Sequence, residues 1–559
     1  MTRKSIFLII IPLILSAFTH LWNPAGFPIF HIDEGYYMEW ITDILKSLNP
    51  IHYVVTQNYY FHPYLGPLFL AGILEVTGYP NSLNLSADAH SIEMAYFVPR
   101  VIMGILAVID TFLIYKICER RYDKNVAFVS SILFAVMPIT WLLRFIWLDN
   151  ILLPFLLSSI LFGVYTREGL RTTNNANKKN KIKGKCKLPL IILSGVLLGM
   201  TLFIKETAFI MIPLVGYLIF SNNRSWKLLG LWIVPIILIP LIWPASLLYS
   251  GHFDKWLDNI HFQTHRVSKP LFVSIISFFK IDPVLITLSF MGLALAALRK
   301  DIFVLLWAIP FFIFYLIINY VQSLHLIVLL PLLCISAGIL VLDISNKIQK
   351  KYQQVIRHSL SDDSERSIVN FTIKKFLFND FKSLSNLGLV IISVIAIFGL
   401  ASTCMLVTLN LNFPYFKAVA LITSYLPGTN STAGHINDVV TVISRASDYI
   451  WIPENVFGKD KHVYQPYFWK NPIKTDRYLL VVTDEYKKLM SGDDERAKFL
   501  QLAFNNTTTK GTFERNSDYH DLSNYPYTSI SDLQVLKSTG LAPGTRPGTV
   551  EIRTNYSPP

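Results

Sequence analysis

The stretch from residue 31 to residue 67 reads HIDEGYYMEWITDILKSLNPIHYVVTQNYYFHPYLGP, and it is polar, acidic and aromatic although apolar segments precede and follow it. An acidic pair, Asp33 and Glu34, stands near its start, and the cluster Phe61–Pro67 closes it. Between them, apolar side chains recur at helical spacing, with charged residues on the opposite face. The apolar positions are Tyr37, Trp40, Ile41, Ile44, Leu45 and Leu48. The pattern predicts a helix in the membrane interface, with aromatic side chains at headgroup depth and the carboxylates at the boundary between water and lipid.

The composition of the 559-residue chain is that of an integral membrane protein: 52% of the residues are hydrophobic, 16% are charged and the mean hydropathy is +0.43. Soluble domains are nearer to about a quarter charged. The net charge of +13 lies in loops between apolar runs, so it indicates orientation in a membrane and argues against a nucleic-acid partner. The four cysteines show no paired spacing, and we expect neither disulfides nor a cysteine metal site.

Apolar runs predict a mostly α-helical, polytopic protein with about eleven transmembrane helices. They are Ile6–Leu21, Met94–Cys118, Val126–Leu143, Leu148–Tyr165, Leu188–Ile204, Thr207–Phe220, Leu228–Leu248, Ile281–Leu298, Ile302–Ile318, Leu324–Leu342 and Leu387–Leu409. The first run lacks a good cleavage site, and we interpret it as a retained anchor. The shorter run Tyr64–Val76 is interpreted as interfacial or re-entrant.

Loop charges predict the orientation of these helices. Arg167–Lys187 carries eight basic residues against one acidic residue, and Asn346–Asn386 carries eight Lys or Arg residues. Smaller basic turns occur at Arg120–Lys124 and Arg299–Lys300. Parity places all four segments on one side, which the positive-inside rule makes cytoplasmic. We therefore divide the chain into a transmembrane region at residues 1–345, a basic cytoplasmic loop at 346–386, a last transmembrane helix at 387–409 and an extracytoplasmic domain at 410–559.

The tail from residue 410 changes composition and predicts a small α/β domain on the outer surface. Tyr478–Thr483 has the pattern of a strand, Asp484–Ala503 that of a helix, and Leu541–Pro559 that of a disordered end. Glycosylation sequons that this topology places outside are Asn84, Asn430, Asn505, Asn506 and Asn555. The chain contains no internal repeat, P-loop, GxGxxG motif or zinc-ligand spacing.

Polar residues at the outer ends of apolar helices are few and therefore informative. A carboxylate of the pair Asp33 and Glu34 suits a general base, although Asp33 could instead be only the N-cap of its helix. Other candidates for binding an anionic substrate are His62, Arg100, Arg144, Asp149, Lys205, His265, Arg266 and His325. Each has a plainer alternative: Arg100 could extend to the interface, Arg144 could pair with Asp149, and Lys205 with Glu206 could form a solvated turn. Together they suit a phosphate-bearing lipid, with cations for the phosphate and a carboxylate as base.

At these residues the chain resembles the GT-C glycosyltransferases, above all the dolichyl-phosphate-mannose–protein mannosyltransferases. Ile32–Tyr37 resembles the DE motif of that family, and Tyr59–Gly66 its HPPLG stretch. Val98–Gly104 is similar to its arginine-bearing second span, Leu142–Asn150 to its R-x-x-x-LDN turn, and Gly195–Lys205 to its G-x-x-x-G-x-x-x-x-x-K helix. The resemblance covers roughly residues 1–345.

The resemblance implies an inverting transfer of mannose or another hexose from a polyprenyl- or dolichyl-phosphate carrier to a hydroxyl of a protein, glycan or lipid at the outer membrane face. Asp33 would be the base, and Glu34 would position the acceptor or support Asp33. The phosphate would be neutralised by Arg100, Arg144, Lys205, His62 and either His265 or Arg266. A divalent cation is the one candidate cofactor, but Phe61, which cannot ligate a metal, stands where related aminoarabinose transferases have Glu.

Two alternatives to an enzyme keep the same helices and polar helix ends. One is a transporter of lipids or solutes, and the other is an assembly subunit of a glycosylation complex that has lost catalysis. Inverted repeats or paired broken helices, which would favour a transporter, are not found in the sequence. The lack of outer cysteines favours an archaeal or bacterial plasma membrane over the endoplasmic reticulum.

Overall fold

The computed structural model describes residues 3–83, 85–166, 188–266, 270–318, 320–362, 386–426, 439–444, 447–459, 462–465, 475–514 and 549–557. The basic loop predicted at Arg167–Lys187 and the sequons at Asn84 and Asn430 lie outside these residues. Most of the described chain is helical, as the sequence predicts. Of the four cysteines, Cys118, Cys334 and Cys404 are free, and Cys186 is outside the described residues.

The helices of the membrane region and its loops follow one another in chain order. They are α1 (Arg3–Leu21), α2 (Ile32–Ser47), α3 (His52–Thr56), α4 (Leu65–Val76), α5 (Ala89–Arg121), α6 (Lys124–Val136), α7 (Leu148–Tyr165), α8 (Leu188–Ile204), α9 (Ile212–Asn223), α10 (Trp226–Leu238), α11 (Ile242–Tyr249), α12 (Phe253–Thr264), α13 (Leu271–Ile281), α14 (Pro283–Leu298), α15 (Ile302–Ile318) and α16 (Leu330–Asp362). Then follow α17 (Asn386–Val407) and α18 (Phe413–Tyr425). Short 3-10 helices occupy Asn81–Leu83, Pro138–Arg144, Glu206–Met211 and Ser323–Leu329.

Within the described residues, five helical segments are long and apolar enough to cross a membrane, or up to seven if each of two bent pairs is one span. The predicted number of eleven is therefore not confirmed. The predicted run Val126–Leu143 is broken at Met137, where α6 and the following 3-10 helix meet at 70°. The predicted run Thr207–Phe220 likewise begins as the 3-10 helix Glu206–Met211 before α9.

The long helix α5 is central to the bundle, because it packs against α1, α6, α7 and α18. Helix α7 also packs on α8, while α16 packs on α6 and α14. Small residues permit the close approaches: a Cβ on Gly292 would lie 2.1 Å from the backbone oxygen of Ser336. The beginning of α7 and the end of α8 lie close to α4, where a Cβ on Gly66 would meet Leu148 and Ile204.

Helix α2 forms where the periodicity predicts it, but its aromatic face packs on protein and does not face the headgroups. Trp40 and Ile41 are fully buried, and the indole Nε1 of Trp40 donates to the carbonyl oxygen of Pro50 at 3.0 Å. Helices that contact α2 are α3, α4 and a later helix, α19 (Ser447–Asn455). The aromatic face is therefore buried against protein, with Trp40 packed on Tyr53 and Tyr59, and the position of α2 in the membrane interface stays a prediction.

The C-terminal part contains a five-stranded sheet of order β2-β1-β3-β5-β4, in which β1 pairs in parallel with β2 and β3 and the remaining pairs are antiparallel. Its strands are β1 (Val440–Ile443), β2 (His462–Gln465), β3 (Arg477–Val482), β4 (Thr508–Phe513) and β5 (Val550–Thr554). The predicted strand is confirmed by β3. The predicted helix Asp484–Ala503 is two helices, α20 (Asp484–Met490) and α21 (Glu495–Asn505), because Asp494 begins a new helix as its N-cap. The predicted disorder at the end of the chain is wrong for β5, which pairs with β3 on one side and β4 on the other. Its apolar side chains, Val550 and Ile552, are buried.

Candidate active site

The turn that begins α2 is built by His31 and not by Asp33. The N-cap is His31, whose Nδ1 accepts a hydrogen bond from the backbone N–H of Asp33 at 3.3 Å. The carboxylate of Glu34 in return accepts from the backbone N–H of His31 at 3.0 Å, which completes a capping box. The alternative that Asp33 serves as the N-cap is therefore wrong, and its side chain is left for another role.

Glu34 is held on all sides at the centre of the bundle. Its carboxylate receives two hydrogen bonds from the guanidinium of Arg100, from Nε at 3.0 Å and from Nη2 at 2.7 Å, and both side chains are fully buried. The backbone N–H of Ile146 donates to the same carboxylate at 3.0 Å. With the bond from His31, both oxygens of Glu34 are occupied, so this residue fixes geometry and has no lone pair left for an acceptor hydroxyl.

Arg100 is equally occupied, which contradicts the predicted contact with phosphate. Its Nη1 donates to the carbonyl oxygens of Pro24 at 3.1 Å and Pro28 at 2.8 Å, in addition to the two bonds with Glu34. The rings of Phe30, Tyr96 and Phe145 lie 5.3 to 5.8 Å from its Cζ. At most one of the five N–H groups remains, and it is enclosed by protein. The residue therefore ties α5 to the turn before α2.

Asp33 differs sharply from its neighbour. About a quarter of its side chain is exposed (26%), and no hydrogen bond to its carboxylate occurs among the described residues. The Nδ1 of His31 lies 3.7 Å from Oδ2. Because that nitrogen already accepts a hydrogen bond from a backbone N–H, it carries no proton to share. Asp33 is thus a carboxylate with available oxygens on a rigid helix end, which is the condition that a general base requires.

Asp149, in the first turn of α7, and Lys205, which follows α8, form a buried ion pair. The Nζ of Lys205 lies 2.6 Å from Oδ2 of Asp149, and both side chains are at most 3% exposed. The alternative of a solvated turn at Lys205 is therefore wrong. The predicted pairing of Arg144 with Asp149 is wrong as well, because Lys205 takes that place.

Arg144 instead binds the loop that follows α1. Its Nη2 donates to the carbonyl oxygens of Trp22 and Asn23, the latter at 2.8 Å, and its Cζ lies 5.6 Å from the ring of Phe27. Nε and Nη1 are buried and have no hydrogen-bond partner among the described residues. The side chain is fully buried and braces this loop, and because Nε and Nη1 are unpaired within the described part of the chain, its contact with phosphate stays a prediction.

His62 lies close to this ion pair because α4 approaches the ends of α7 and α8 closely. A Cβ on Gly66, in the first turn of α4, would lie 2.6 Å from Leu148 and 3.1 Å from Ile204. Burial, with the positive charges of Lys205 and Arg266, lowers the pKa of His62 well below its usual range. His62 is therefore neutral at physiological pH, and the predicted cationic contact with phosphate is replaced by a neutral imidazole that donates or accepts a hydrogen bond.

Arg266 is a cation without an acidic partner among the described residues. It follows α12, and its Cζ lies 5.4 Å from the ring of Phe61, 5.6 Å from that of Phe262 and 5.1 Å from that of Tyr320. We call these three rings the aromatic cage. Burial raises the pKa of Tyr59, the negative charge of Asp33 raises it further, and the positive charge of Arg266 lowers it. Tyr59 is therefore within electrostatic range of both groups.

The two remaining predicted residues lie at the margin. His265 is exposed, and its Nδ1 bonds within its own helix to the carbonyl oxygen of His261 at 2.8 Å. His325 stacks on Tyr315 at 5.5 Å, and its Nδ1 accepts from the backbone N–H of Gln322 at 3.1 Å. The ring of Tyr320 separates it from Arg266. Neither histidine is brought to the Asp33 carboxylate by a contact that the structure shows.

Sequence reasoning missed the residues that place these groups. His31 is the cap, the aromatic cage surrounds Arg266, and Tyr59 is within electrostatic range of Asp33 and Arg266. The run Asn58-Tyr59-Tyr60-Phe61 before His62 was a signal, since four consecutive polar or aromatic residues between helices are unusual in such an apolar chain. Among the described residues no three His, Cys, Asp or Glu side chains converge.

This arrangement of helices is the GT-C fold. ArnT from Cupriavidus metallidurans bound to undecaprenyl phosphate superposes with a TM-score of 0.52 at 13% identity, over 99% of this chain and 98% of that chain. The archaeal oligosaccharyltransferase AglB from Archaeoglobus fulgidus, in complex with an inhibitory peptide and a dolichol-phosphate, gives a TM-score of 0.48 at 11% identity. That match covers 83% of this chain but only 65% of AglB.

A family model also matches part of the sequence. The model of the family described as dolichyl-phosphate-mannose-protein mannosyltransferase matches residues 89–247, which span α5 to α11. The resemblance to GT-C enzymes that the motifs suggested is thereby confirmed. No curated protein matches the sequence.

Proposed function

We propose that this chain is an inverting glycosyltransferase that moves a sugar, mannose or another hexose, from a polyprenyl- or dolichyl-phosphate carrier to a hydroxyl of a protein, glycan or lipid acceptor. One observation carries the proposal: of two adjacent carboxylates, Glu34 is fully occupied by Arg100 and backbone N–H groups, whereas Asp33 is not. The Asp33 carboxylate is therefore available to accept a proton.

The proposed reaction is a single displacement at the anomeric carbon. The acceptor oxygen forms the new bond to C1 while the bond from C1 to the phosphate oxygen breaks, and the carrier leaves as a polyprenyl monophosphate. The proton of the acceptor hydroxyl passes to the Asp33 carboxylate, so charge and atoms balance. Since the acceptor attacks from the side opposite the phosphate, the configuration inverts and no enzyme nucleophile is needed. Positioned base catalysis of this kind contributes about 10²–10⁴-fold.

Arg266 is the residue that we assign to the leaving phosphate. It stays charged, it has no acidic partner among the described residues, and its guanidinium can bind two phosphate oxygens. Lys205 stands nearby, as its effect on His62 indicates, but its charge is already matched by Asp149. Neutral His62, placed among these cations, can donate a hydrogen bond to the same phosphate.

An apolar groove beginning at Pro63, the residue after His62, suits the carrier's isoprenoid tail. Its walls come from α8, α10, α11 and α12 and are lined by Leu202, Ile237, Leu241, Trp243 and Trp256. Because the tail leaves lipid and not water, such a surface costs it little free energy. We assign the isoprenoid tail to this groove because Pro63 places one end of it beside His62.

The proposed site lies on the extracytoplasmic face, together with residues 410–559, because the basic segments predict that the opposite ends of the helices are cytoplasmic. The division at residues 345, 386 and 409 belongs to the same proposal. An archaeal or bacterial plasma membrane is the proposed location. The same topology would expose the sequons at Asn505, Asn506 and Asn555.

The test is transfer by the purified full-length chain in lipid. Polyprenyl-phosphate mannose and polyprenyl-phosphate glucose, each with a radiolabelled sugar, are offered with a Ser/Thr-rich peptide, a glycan and a lipid acceptor. Sugar transfer that releases polyprenyl monophosphate and inverts C1 supports the proposal. Movement of the intact carrier across the bilayer without cleavage would indicate a transporter. Donor binding with no transfer to any acceptor would favour an assembly subunit.

A further inference from the structure

The turn that carries Asp33 is held from a distant part of the chain, immediately after the last candidate span. Asn412 is fully buried, and its Nδ2 donates to the carbonyl oxygens of Ala25 and Pro28, each at 2.7 Å. Its Oδ1 accepts from the backbone N–H of Phe30 at 3.1 Å. One amide side chain thereby fixes three positions of the loop that ends at His31.

Two further contacts tie the same segments together. The side-chain Nδ2 of Asn23 donates to the carbonyl oxygens of Val407 at 3.0 Å and Leu409 at 2.7 Å. The backbone N–H of Leu411 donates to the carbonyl oxygen of Gly26 at 2.8 Å. The loop before α2 therefore has hydrogen bonds along most of its length to the start of the C-terminal region.

A second link comes from the C-terminal domain itself, through α19. Trp451 is fully buried, and its indole Nε1 donates to the hydroxyl of Tyr96 at 3.0 Å, with the two rings 5.4 Å apart. The ring of Tyr96 lies 4.3 Å from that of Phe30 and 5.7 Å from Cζ of Arg100. Trp451 thus supports the aromatic wall that encloses Arg100.

Both links converge on the group that holds Glu34. The carbonyl oxygen of Pro28 accepts from Asn412 and from Nη1 of Arg100, and Arg100 binds the Glu34 carboxylate. Glu34 and His31 form the capping box from which Asp33 projects. A shift of Asn412 or Trp451 would accordingly be passed to Asp33 along this series of contacts.

We propose that Asn412 and Trp451 are positioning residues for the reaction, so that the C-terminal domain is a working part of the site and not only an appended domain. The inference rests on the proposed function. None of the contacts described for Asn412 and Trp451 reaches Asp33 or Arg266, so we assign both residues to act through the turn. A misplacement of about 1 Å in a catalytic group can lower a rate by about 10²-fold. Loss of a positioning contact should therefore lower kcat and leave donor binding unchanged.

The experiment removes the bond between Trp451 and Tyr96 from each side. Trp451→Phe keeps a ring and loses the indole N–H, Tyr96→Phe loses the hydroxyl, and the double variant loses both. Tyr556→Phe is the matched control, because it removes a single hydroxyl bond, to the carbonyl oxygen of Tyr425 at 3.1 Å, elsewhere in the C-terminal region. Mannose transfer from polyprenyl-phosphate mannose and hydrogen exchange of the amides of residues 30–34 are measured for the wild type and these four variants.

We expect kcat to fall by about tenfold in each single variant, with the KM for the donor changed by less than about twofold. The double variant should lose no more than either single one, because both act through one bond. Exchange at residues 30–34 should rise in these variants and not in Tyr556→Phe. Additive losses, or unchanged kcat and exchange, would overturn the inference. If the wild type transfers no sugar but exchange at residues 30–34 still rises in the variants, the structural link is supported and the proposed function is refuted. If Trp451→Phe does not fold, Tyr96→Phe alone decides between these outcomes.

Discussion

At the scale of single residues, the site depends on two neighbouring carboxylates in opposite environments. The sequence predicted the pair Asp33 and Glu34 but not the division between them. That division is set by Arg100, which lies 66 residues further along the chain and reaches Glu34 only because α5 packs beneath the turn. Breaking such a buried pair by removing one partner costs about 3–5 kcal/mol, so substitution of Glu34 or Arg100 should act first on stability.

Arg266 offers a cleaner residue-scale test, because it is not part of that buried network. We expect Arg266→Gln to raise the KM for polyprenyl-phosphate mannose by about 10-fold or more, since a charge-assisted contact with phosphate is worth about 1.5–3 kcal/mol. Arg266→Lys should recover only part of this loss, because lysine cannot bind two oxygens in the same plane. Initial rates over a range of donor concentrations give the comparison.

The control for that measurement is Lys255→Gln on α12, the helix that Arg266 follows. Lys255 is an exposed cation that bonds to Oδ1 of Asn58 at 3.2 Å, outside the aromatic cage. Its loss changes the net charge equally and should leave the KM for the donor unchanged. Equal effects of the two substitutions would mean that Arg266 contributes only general electrostatic attraction.

At the scale of elements, α2 shows how far periodicity leads. Its length and apolar face followed from the spacing of Tyr37, Trp40 and Ile44, but what covers that face could not be predicted. On the apolar face Trp40 packs on Tyr53 and Tyr59. The charged face meets α19, some 400 residues later in sequence, where the Nζ of Lys46 bonds to Oδ1 of Asn455, and no local pattern records such a contact. The same limit explains the pairing of Asp149 with Lys205, since it requires knowledge of how α7 and α8 pack.

Burial of α2 beneath α19 has a consequence for pH. Burial raises the pKa of Glu39 to about 7, the hydroxyl of Tyr53 that donates to it at 2.9 Å opposes this, and the charge of Glu454 adds to it. The folded state then holds a proton that the unfolded chain releases near pH 4.5, the ordinary value for this group. Stability contributed by the protonated form is therefore present at low pH and is lost as the pH rises from about 4.5 to about 7.

We expect Glu39→Gln, which keeps an acceptor for Tyr53 and cannot ionise, to raise the thermal unfolding midpoint at pH 8 and to have little effect at pH 4. Midpoints measured at intervals across this range give the profile. Asp43→Asn is the control on the same helix, because Asp43 pairs with His52 at 2.8 Å near the surface. A difference between wild type and Glu39→Gln that is constant with pH would show that Glu39 does not titrate in this window.

At the scale of the whole molecule, the GT-C fold was predicted from the order of five motifs, and the superposition over 99% of the chain confirms it. The number of spans was not, because several apolar runs are bent or broken by 3-10 helices that hydropathy does not register. Residues such as Gly66 and Asn412, which determine how segments meet, have no signal of their own in a single sequence.

The orientation of the molecule gives a whole-chain prediction. In a background without the four native cysteines, we expect a cysteine at Thr508, which is exposed on β4, to react with a membrane-impermeant maleimide in intact cells. A cysteine at Lys185, in the basic loop, should react only after permeabilisation. The reverse pattern would place the proposed site on the cytoplasmic side and require a carrier facing inward.

The measurement that bears most directly on the central claim is the turnover of Asp33→Asn with saturating polyprenyl-phosphate mannose. Because His31 and not Asp33 caps α2, asparagine at this position preserves the turn and removes only the ability to accept a proton. We expect turnover to fall by about 10²–10⁴-fold, with the thermal unfolding midpoint and donor binding close to those of the wild type. Asp43→Asn, the same substitution lower on α2, should leave turnover unchanged. An Asp33→Asn protein that transfers sugar at nearly the wild-type rate would contradict the assignment of Asp33 as the base.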